Sequence, residues 1–158
     1  MKQEQVQIFT RRISQSNKSG LVVIVFDIIF AYMKEAKECL SADDYEGFKE
    51  ALKKAQAGVD ELIRSLDFGY EVSKDLYPLY IFVKEAMAKT VVTKRLDELD
   101  TAEEVLVNLH EAFSEAAKQD HSTPLMQNAQ QVYAGMTYGR TQLNESFQAP
   151  EHSRGFLA

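Results

Sequence analysis

An all-α fold is what this sequence predicts, and three observations lead there. Apolar residues return at spacings of three and four over four long stretches, the period of one helix face. Seven Gly and three Pro in 158 residues leave few breakers, so these stretches can run long. Short polar connections separate them, which favours an antiparallel up-down-up-down four-helix bundle. The expected division is an N-terminal cap segment over 1–18, the four-helix bundle over 19–118, and a C-terminal extension over 119–158. That extension is expected to hold one extra short helix and a flexible tail.

The elements follow in order. Lys2 to Ile13 is a short amphipathic stretch with Val6, Phe9 and Ile13 on one side. The first long helix is expected over 19–40, with Leu21, Val25, Ile28, Tyr32 and Ala36 inward. Ser41-Ala42-Asp43-Asp44 has the pattern of a capping box and should start a second helix, over 43–67. Its stripe is Tyr45, Phe48, Leu52, Ala55, Val59, Leu62 and Leu66, and Gly69 offers the left-handed geometry that ends a helix. A third helix over 71–92 turns Val72, Leu76, Leu79, Val83 and Met87 inward and carries Pro78 within it. Thr101-Ala102-Glu103-Glu104 repeats the capping pattern and opens a fourth helix, over 101–118, with Ala102, Leu106, Leu109, Phe113 and Ala116 inward. In the extension, Pro124 suits a first helical turn, and Leu125, Ala129, Val132 and Met136 would share one side of a short helix.

Composition narrows the function. The chain is 45% hydrophobic and 27% charged, the balance of a globular domain. A net charge of −6 argues against nucleic acid, whose phosphates call for a basic face. The apolar run from Leu21 to Met33 is too short to span a membrane and holds Asp27, so it reads as a buried helix of a cytoplasmic protein with no membrane insertion. Cys39 is the single cysteine and reads as a buried, inert thiol. The histidines, His110, His121 and His152, form no Glu-x-x-His pair, and the acidic residues sit where capping and solvation explain them. No Gly-rich phosphate loop or nucleophile elbow is present. The expectation is a binding protein, with no catalytic residues, no cofactor and no metal.

What stands out is an apolar surplus. A bundle helix needs one inward stripe, yet the first long helix has a second: Val23, Phe26, Phe30 and Met33. The third helix carries Tyr77, Tyr80, Ile81 and Phe82 in the same way. Burying one such side chain stabilises by about 1.5–3 kcal/mol relative to exposing it, so something should cover them. The candidates are the N-terminal stretch, the C-terminal extension, a second copy of the chain as a homodimer, or a different partner. The bland alternative is a central helix wrapped on all sides by this chain's own segments.

Leu21 to Asp27, Lys54-Ala55-Gln56 with Glu61-Leu62 and Leu66-Asp67, Glu71-Val72-Ser73 with Leu79-Tyr80, and Leu109 with Phe113 together resemble the FliS family of flagellar export chaperones. Lys54-Ala55-Gln56, Glu61-Leu62 and Leu66-Asp67 resemble the "KAQ…EL…LN" stretch of its second helix. Glu71-Val72-Ser73 with Leu79-Tyr80 resembles "EIS…LY", and Leu21 to Asp27 is similar to "LxxMLYD". Leu109 and Phe113 match "LRxxW", with Phe for Trp. The resemblance covers roughly Phe9 to Lys118. Near the N-terminus the sequence departs from the pattern, with Lys18-Ser19-Gly20 where the family has Pro-x-Glu and Ile28 where it has a small residue.

The resemblance implies a cytoplasmic chaperone that binds the disordered C-terminal segment of flagellin, prevents premature polymerisation and delivers it to the export apparatus, with export-gate components as further partners. In that reading Val6, Phe9 and Ile13 form a displaceable N-terminal cap. Val23, Phe26, Phe30 and Met33, with Tyr77, Tyr80, Ile81 and Phe82, form the partner-binding groove. Two rival readings stay open: a same-fold paralogue that caps another export substrate or acts as a regulator, and a structural helical homodimer.

Overall fold

The computed structural model describes residues 1–126. The chain divides into two units, Met1–Leu125 and Met126–Ala158, and every described helix belongs to the first. These helices are α1 (Gln3–Ser14), α2 (Lys18–Ser41), α3 (Tyr45–Arg64), α4 (Glu71–Thr93) and α5 (Asp97–Gln119), and no strand occurs among the described residues. The all-α class is therefore as the sequence predicts. The expected extra C-terminal helix and tail lie outside the described residues.

The four long helices form a closed ring, in which α2 packs on α3, α3 on α4, α4 on α5, and α5 back on α2. Paired registers fix the directions. Gly47 lies against Cys39 and Gly58 against Ile29, so α3 descends as α2 rises. Along α5, Asp100 and Glu103 meet Lys37, His110 meets Asp27, and Asp120, just past the helix end, meets Ser19; α5 is thus also antiparallel to α2. At Gly58 a Cβ would come within 2.5 Å of Ile29 Cγ1, so glycine here sets how closely α2 and α3 approach.

The stripe of α3 is largely as expected, with Phe48, Leu52, Ala55, Val59 and Leu62 buried, although Tyr45 is exposed. The other stripes need correction. In α4 the buried line is Ser73, Leu76, Tyr80, Val83, Met87 and Thr90, spaced three and four throughout, while Val72 and Leu79 are exposed. Thr90 satisfies its hydroxyl by donating to the Ala86 carbonyl at 2.8 Å. Tyr80 is therefore core, and burial pushes its phenol up to about 12. Helix α2 buries Ile24, Phe26, Ile29, Met33 and Ala36, so Phe26 and Met33 belong to the core as well and not to an outer stripe. The physical reason is that α3 and α5 pack on α2 from two sides and α1 lies along it, which buries a wide arc of its surface. In α5, Leu99, Ala102 and Leu106 are buried, whereas Ala116 is exposed.

The helix ends also differ in detail from the expected caps. Ser41 is the last residue of α2, and Asp44 is the N-cap of α3, accepting from the Gly47 N–H at 3.0 Å. Helix α5 starts four residues early, at Asp97, where Asp97, Glu98 and Asp100 favour a first turn through the helix dipole. Thr101 is consequently inside the helix, its hydroxyl donating to the Asp97 carbonyl. Left-handed backbone occurs at Asp43 (φ 58°) and Lys94 (φ 55°) rather than at Gly69. Pro78 sits within α4 without ending it.

Helix α1 is attached differently from the rest. It runs antiparallel along α2 and has no buried residue. Ion pairs hold both its ends: the Met1 ammonium with Glu35 at 2.5 Å, and Arg12 with Asp27 at 2.6 Å.

Candidate functional site

The sequence-predicted groove residues do not come together on one surface. Phe26 and Met33 are enclosed, and Phe26 is capped by Phe113 with ring centroids 5.5 Å apart. Phe30 is half-buried with its ring edge-on to His110, 5.5 Å between centroids. Val23 lines a shallow polar-rimmed depression with Arg12, Gly20 and Lys118. On α4 the expected patch splits in two. Tyr77 and Ile81 share a flank with Lys84, which reaches Asp60 of α3 at 2.5 Å. Phe82 lies on the other flank with Lys89, which pairs with Glu98 of α5.

A different opening stands at one end of the bundle. There the start of α2, the end of α3, the start of α4 and the end of α5 diverge around a cleft of about 600 Å³. Leu21, Val22 and Val25 form one wall, Leu62 and Leu66 a second, and Val72 and Leu76 a third, with Tyr80 and Phe113 also lining it. Of the eight residues predicted from sequence, only Tyr80 lines this cleft. Tyr70 and Leu125 also line it, together with the short Ser65 and Ser73 and the charged Lys18, Glu61 and Asp67. The lining itself is partly open to solvent, with Tyr70 exposed and Val72 58% exposed, and apolar surface continues outside it at Phe68, which is exposed and stacks edge-on against Tyr77. None of Val6, Phe9 and Ile13 lines the cleft; Val6 is exposed and the other two are half-buried along α2.

The sequence did mark most of these residues as apolar and inward-facing. It contained one further signal: the α3–α4 connection carries Leu66, Phe68 and Tyr70 where a solvent loop would be polar.

Beside the cleft, the residues after α5 turn back across the bundle. The Asn17 side-chain amide donates to the carbonyls of Asp120 (3.2 Å) and Ser122 (3.1 Å), while its oxygen accepts from the Gly20 N–H and caps α2. Ser19 donates to the Asp120 carboxylate, and the Leu125 N–H donates to the Ser16 carbonyl at 3.0 Å. Hydrogen bonds from Ser122 and Ser19 hold the Asp120 carboxyl down to about 2. Leu125 completes the lining of the cleft.

On α2, Asp27 joins three elements. It pairs with Arg12 of α1, and its other oxygen stands 2.9 Å from Nε2 of His110 on α5. That nitrogen is buried and forms no hydrogen bond. The free thiol of Cys39 is half-buried; desolvation and the Asp44 carboxylate push it up from its ordinary value. Among the described residues no group of three His, Cys, Asp or Glu side chains is arranged to hold a metal ion, and no helix is long and apolar enough to cross a membrane.

The family model for flagellar protein FliS matches residues 1–120. The chain belongs to the FliS family. No curated protein matches it. FliS proteins are flagellar export chaperones and not enzymes, which agrees with a helical bundle that opens into an apolar cleft lined by leucine, valine and aromatic side chains. Each stretch that resembles the FliS pattern contributes to that cleft: Leu21, Val22 and Val25 from the first, Leu62 and Leu66 from the second, Val72, Ser73 and Tyr80 from the third, and Phe113 from the last.

Proposed function

We propose that this chain binds the C-terminal segment of flagellin in the cytoplasm, keeps it from polymerising early and supports its export, and that the cleft between the diverging helix ends is where the segment docks. The observation that carries this reading is the convergence of all the FliS-like stretches on one apolar opening. A cleft of this kind suits the apolar side of an amphipathic segment that is disordered when free. Leucine, valine and aromatic walls supply burial without demanding a fixed hydrogen-bond pattern. Phe68, exposed and outside the lining, extends the apolar surface beyond Tyr70 and Val72, so a bound segment longer than the cleft still finds apolar contact there.

Isothermal titration with a flagellin C-terminal peptide tests the reading. Binding should show a large negative heat-capacity change, because association buries apolar surface and orders the peptide. Val72→Asp places a charge on the cleft wall at a position exposed enough to leave the bundle folded. It should weaken binding by about tenfold or more, the loss of roughly one buried apolar contact and the desolvation of a charge. Unchanged affinity in a folded Val72→Asp protein would move the docking surface elsewhere.

A further inference from the structure

The segment from Asp120 to Leu125 is tied down more thoroughly than a passing loop requires. Asn17, which already caps α2 with its oxygen, spends both donated hydrogen bonds on the carbonyls of Asp120 and Ser122. Ser19 in the first turn of α2 holds the Asp120 carboxylate, and the Ser16 carbonyl accepts from Leu125. These ties bring one apolar side chain, Leu125, into the lining of the cleft. Leu125 is nevertheless 65% exposed, so its own burial holds it there only weakly, and the polar ties do most of the holding.

We propose that Asp120–Leu125 is an intrachain strap that occupies the mouth of the cleft and must be released before a client segment can fill it, with Asn17 as its clasp. This rests on the reading of the cleft as the client site. The strap competes with the client for the same apolar walls, so the apparent affinity is the intrinsic affinity reduced by the fraction of molecules with the strap open. The arrangement also joins the strap to α1, because Ser16 lies in the α1–α2 connection and its hydroxyl donates to the Arg12 carbonyl. Movement of the α1 end and release of Leu125 therefore act on the same short stretch of backbone.

Asn17→Asp separates the clasp from the cap. An aspartate still accepts from the Gly20 N–H as a good N-cap, but it cannot donate to Asp120 and Ser122, and it sets a carboxylate beside that of Asp120. The full-length Asn17→Asp protein should bind a flagellin C-terminal peptide about tenfold more tightly, the gain expected if the strap keeps about nine-tenths of molecules closed. It should also bind more of an apolar fluorescent dye with no peptide present. Ser19→Ala, which removes one tie and keeps a good helix former, should shift both readings in the same direction by less. Circular dichroism and the thermal midpoint establish that each variant is folded, and if Asn17→Asp does not fold, Ser19→Ala decides alone. Equal or weaker peptide affinity in a folded variant, with wild type binding normally, overturns the strap. Absence of peptide binding in wild type and variants alike, with dye binding raised, would instead overturn the cleft as flagellin site and leave the strap standing.

Discussion

The two ends of this bundle are built from the same kind of helix and end up in opposite states. At one end, where α2 and α4 finish and α3 and α5 begin, Met33, Phe48, Met87 and Leu99 are fully enclosed. That end is also fastened at its rim. Lys37 of α2 bridges Asp100 and Glu103 of α5 at 2.8 and 2.5 Å, Lys89 pairs with Glu98, and Lys94 stands 3.7 Å over the Tyr45 ring. At the other end, Val22, Val25, Ser65 and Ser73 are too short to fill the space between the diverging helices, and a cleft of about 600 Å³ remains. The closed end holds the ring together, while the open end leaves apolar side chains partly uncovered.

The largest expected effect tests which end Phe26 belongs to. Phe26→Asp buries an unpaired charge against Phe113 and should destabilise by several kcal/mol, enough to unfold most of the protein, as read by urea denaturation. A folded Phe26→Asp protein that merely loses binding would restore Phe26 to a groove. The next comparison uses one chemical change at both ends. Leu99→Ala in the closed end should cost about 2–5 kcal/mol, whereas Leu66→Ala on the half-buried cleft wall should cost about 1 kcal/mol or less. Equal losses would mean that the cleft is as well packed as the core. Smaller than the loss at Leu99, and between the ends, Gly58→Ala should destabilise by about 1 kcal/mol even though Ala is the better helix former. The added Cβ meets Ile29 within α2, and the strain of overpacking outweighs the gain in propensity. A rise in the thermal midpoint would show that the α2–α3 contact can relax.

The smallest effect is confined to the open end. The Asp120 carboxyl is held down to about 2, below the ordinary 3.8, by Ser122 and Ser19. Its contribution to the strap is therefore complete above about pH 4 and is lost as pH falls through about 2. Exchange of the Leu125 amide, which donates to Ser16, should quicken over that window relative to the chemical rate, while amides of α3 stay protected until the bundle itself unfolds. Simultaneous loss in both places would show that the strap has no independent opening.

How much of this was legible beforehand follows from what periodicity measures. Spacings of three and four placed all four long helices and most of α3's buried face, because α3 has a single inward stripe. The same rule failed on α2, where Phe26 and Met33 of the stripe read as a groove are core: with neighbours on several sides, the buried line runs through Ile24, Phe26, Ile29, Met33 and Ala36 and leaves Leu21, Val25, Ile28 and Tyr32 half-buried. On α4 it failed by one position, choosing Val72 and Leu79 over Ser73 and Tyr80, since a serine and a tyrosine carry weaker apolar signals than the valine and leucine beside them. The caps failed because several polar residues in a row can each cap, and packing chose Asp44 and an earlier start for α5. Leu21, Val22, Val25, Leu66 and Phe113 were recognisably apolar, but a pattern records only which residues avoid water. Whether the chain itself or a partner covers them depends on how far the helices diverge, and that is decided by side-chain sizes from four elements meeting at one end.

Site-directed photo-crosslinking tests the contrast between the ends most directly. A benzophenone side chain at Val72 marks the open end, and one at Val92, which is 82% exposed near the end of α4, marks the closed end with better access to solvent. With a flagellin C-terminal peptide present, the account predicts crosslinks from position 72 that excess unlabelled peptide suppresses, and only background from position 92. Equal crosslinking from both positions, or crosslinking from 92 alone, would contradict the assignment of the client to the open end.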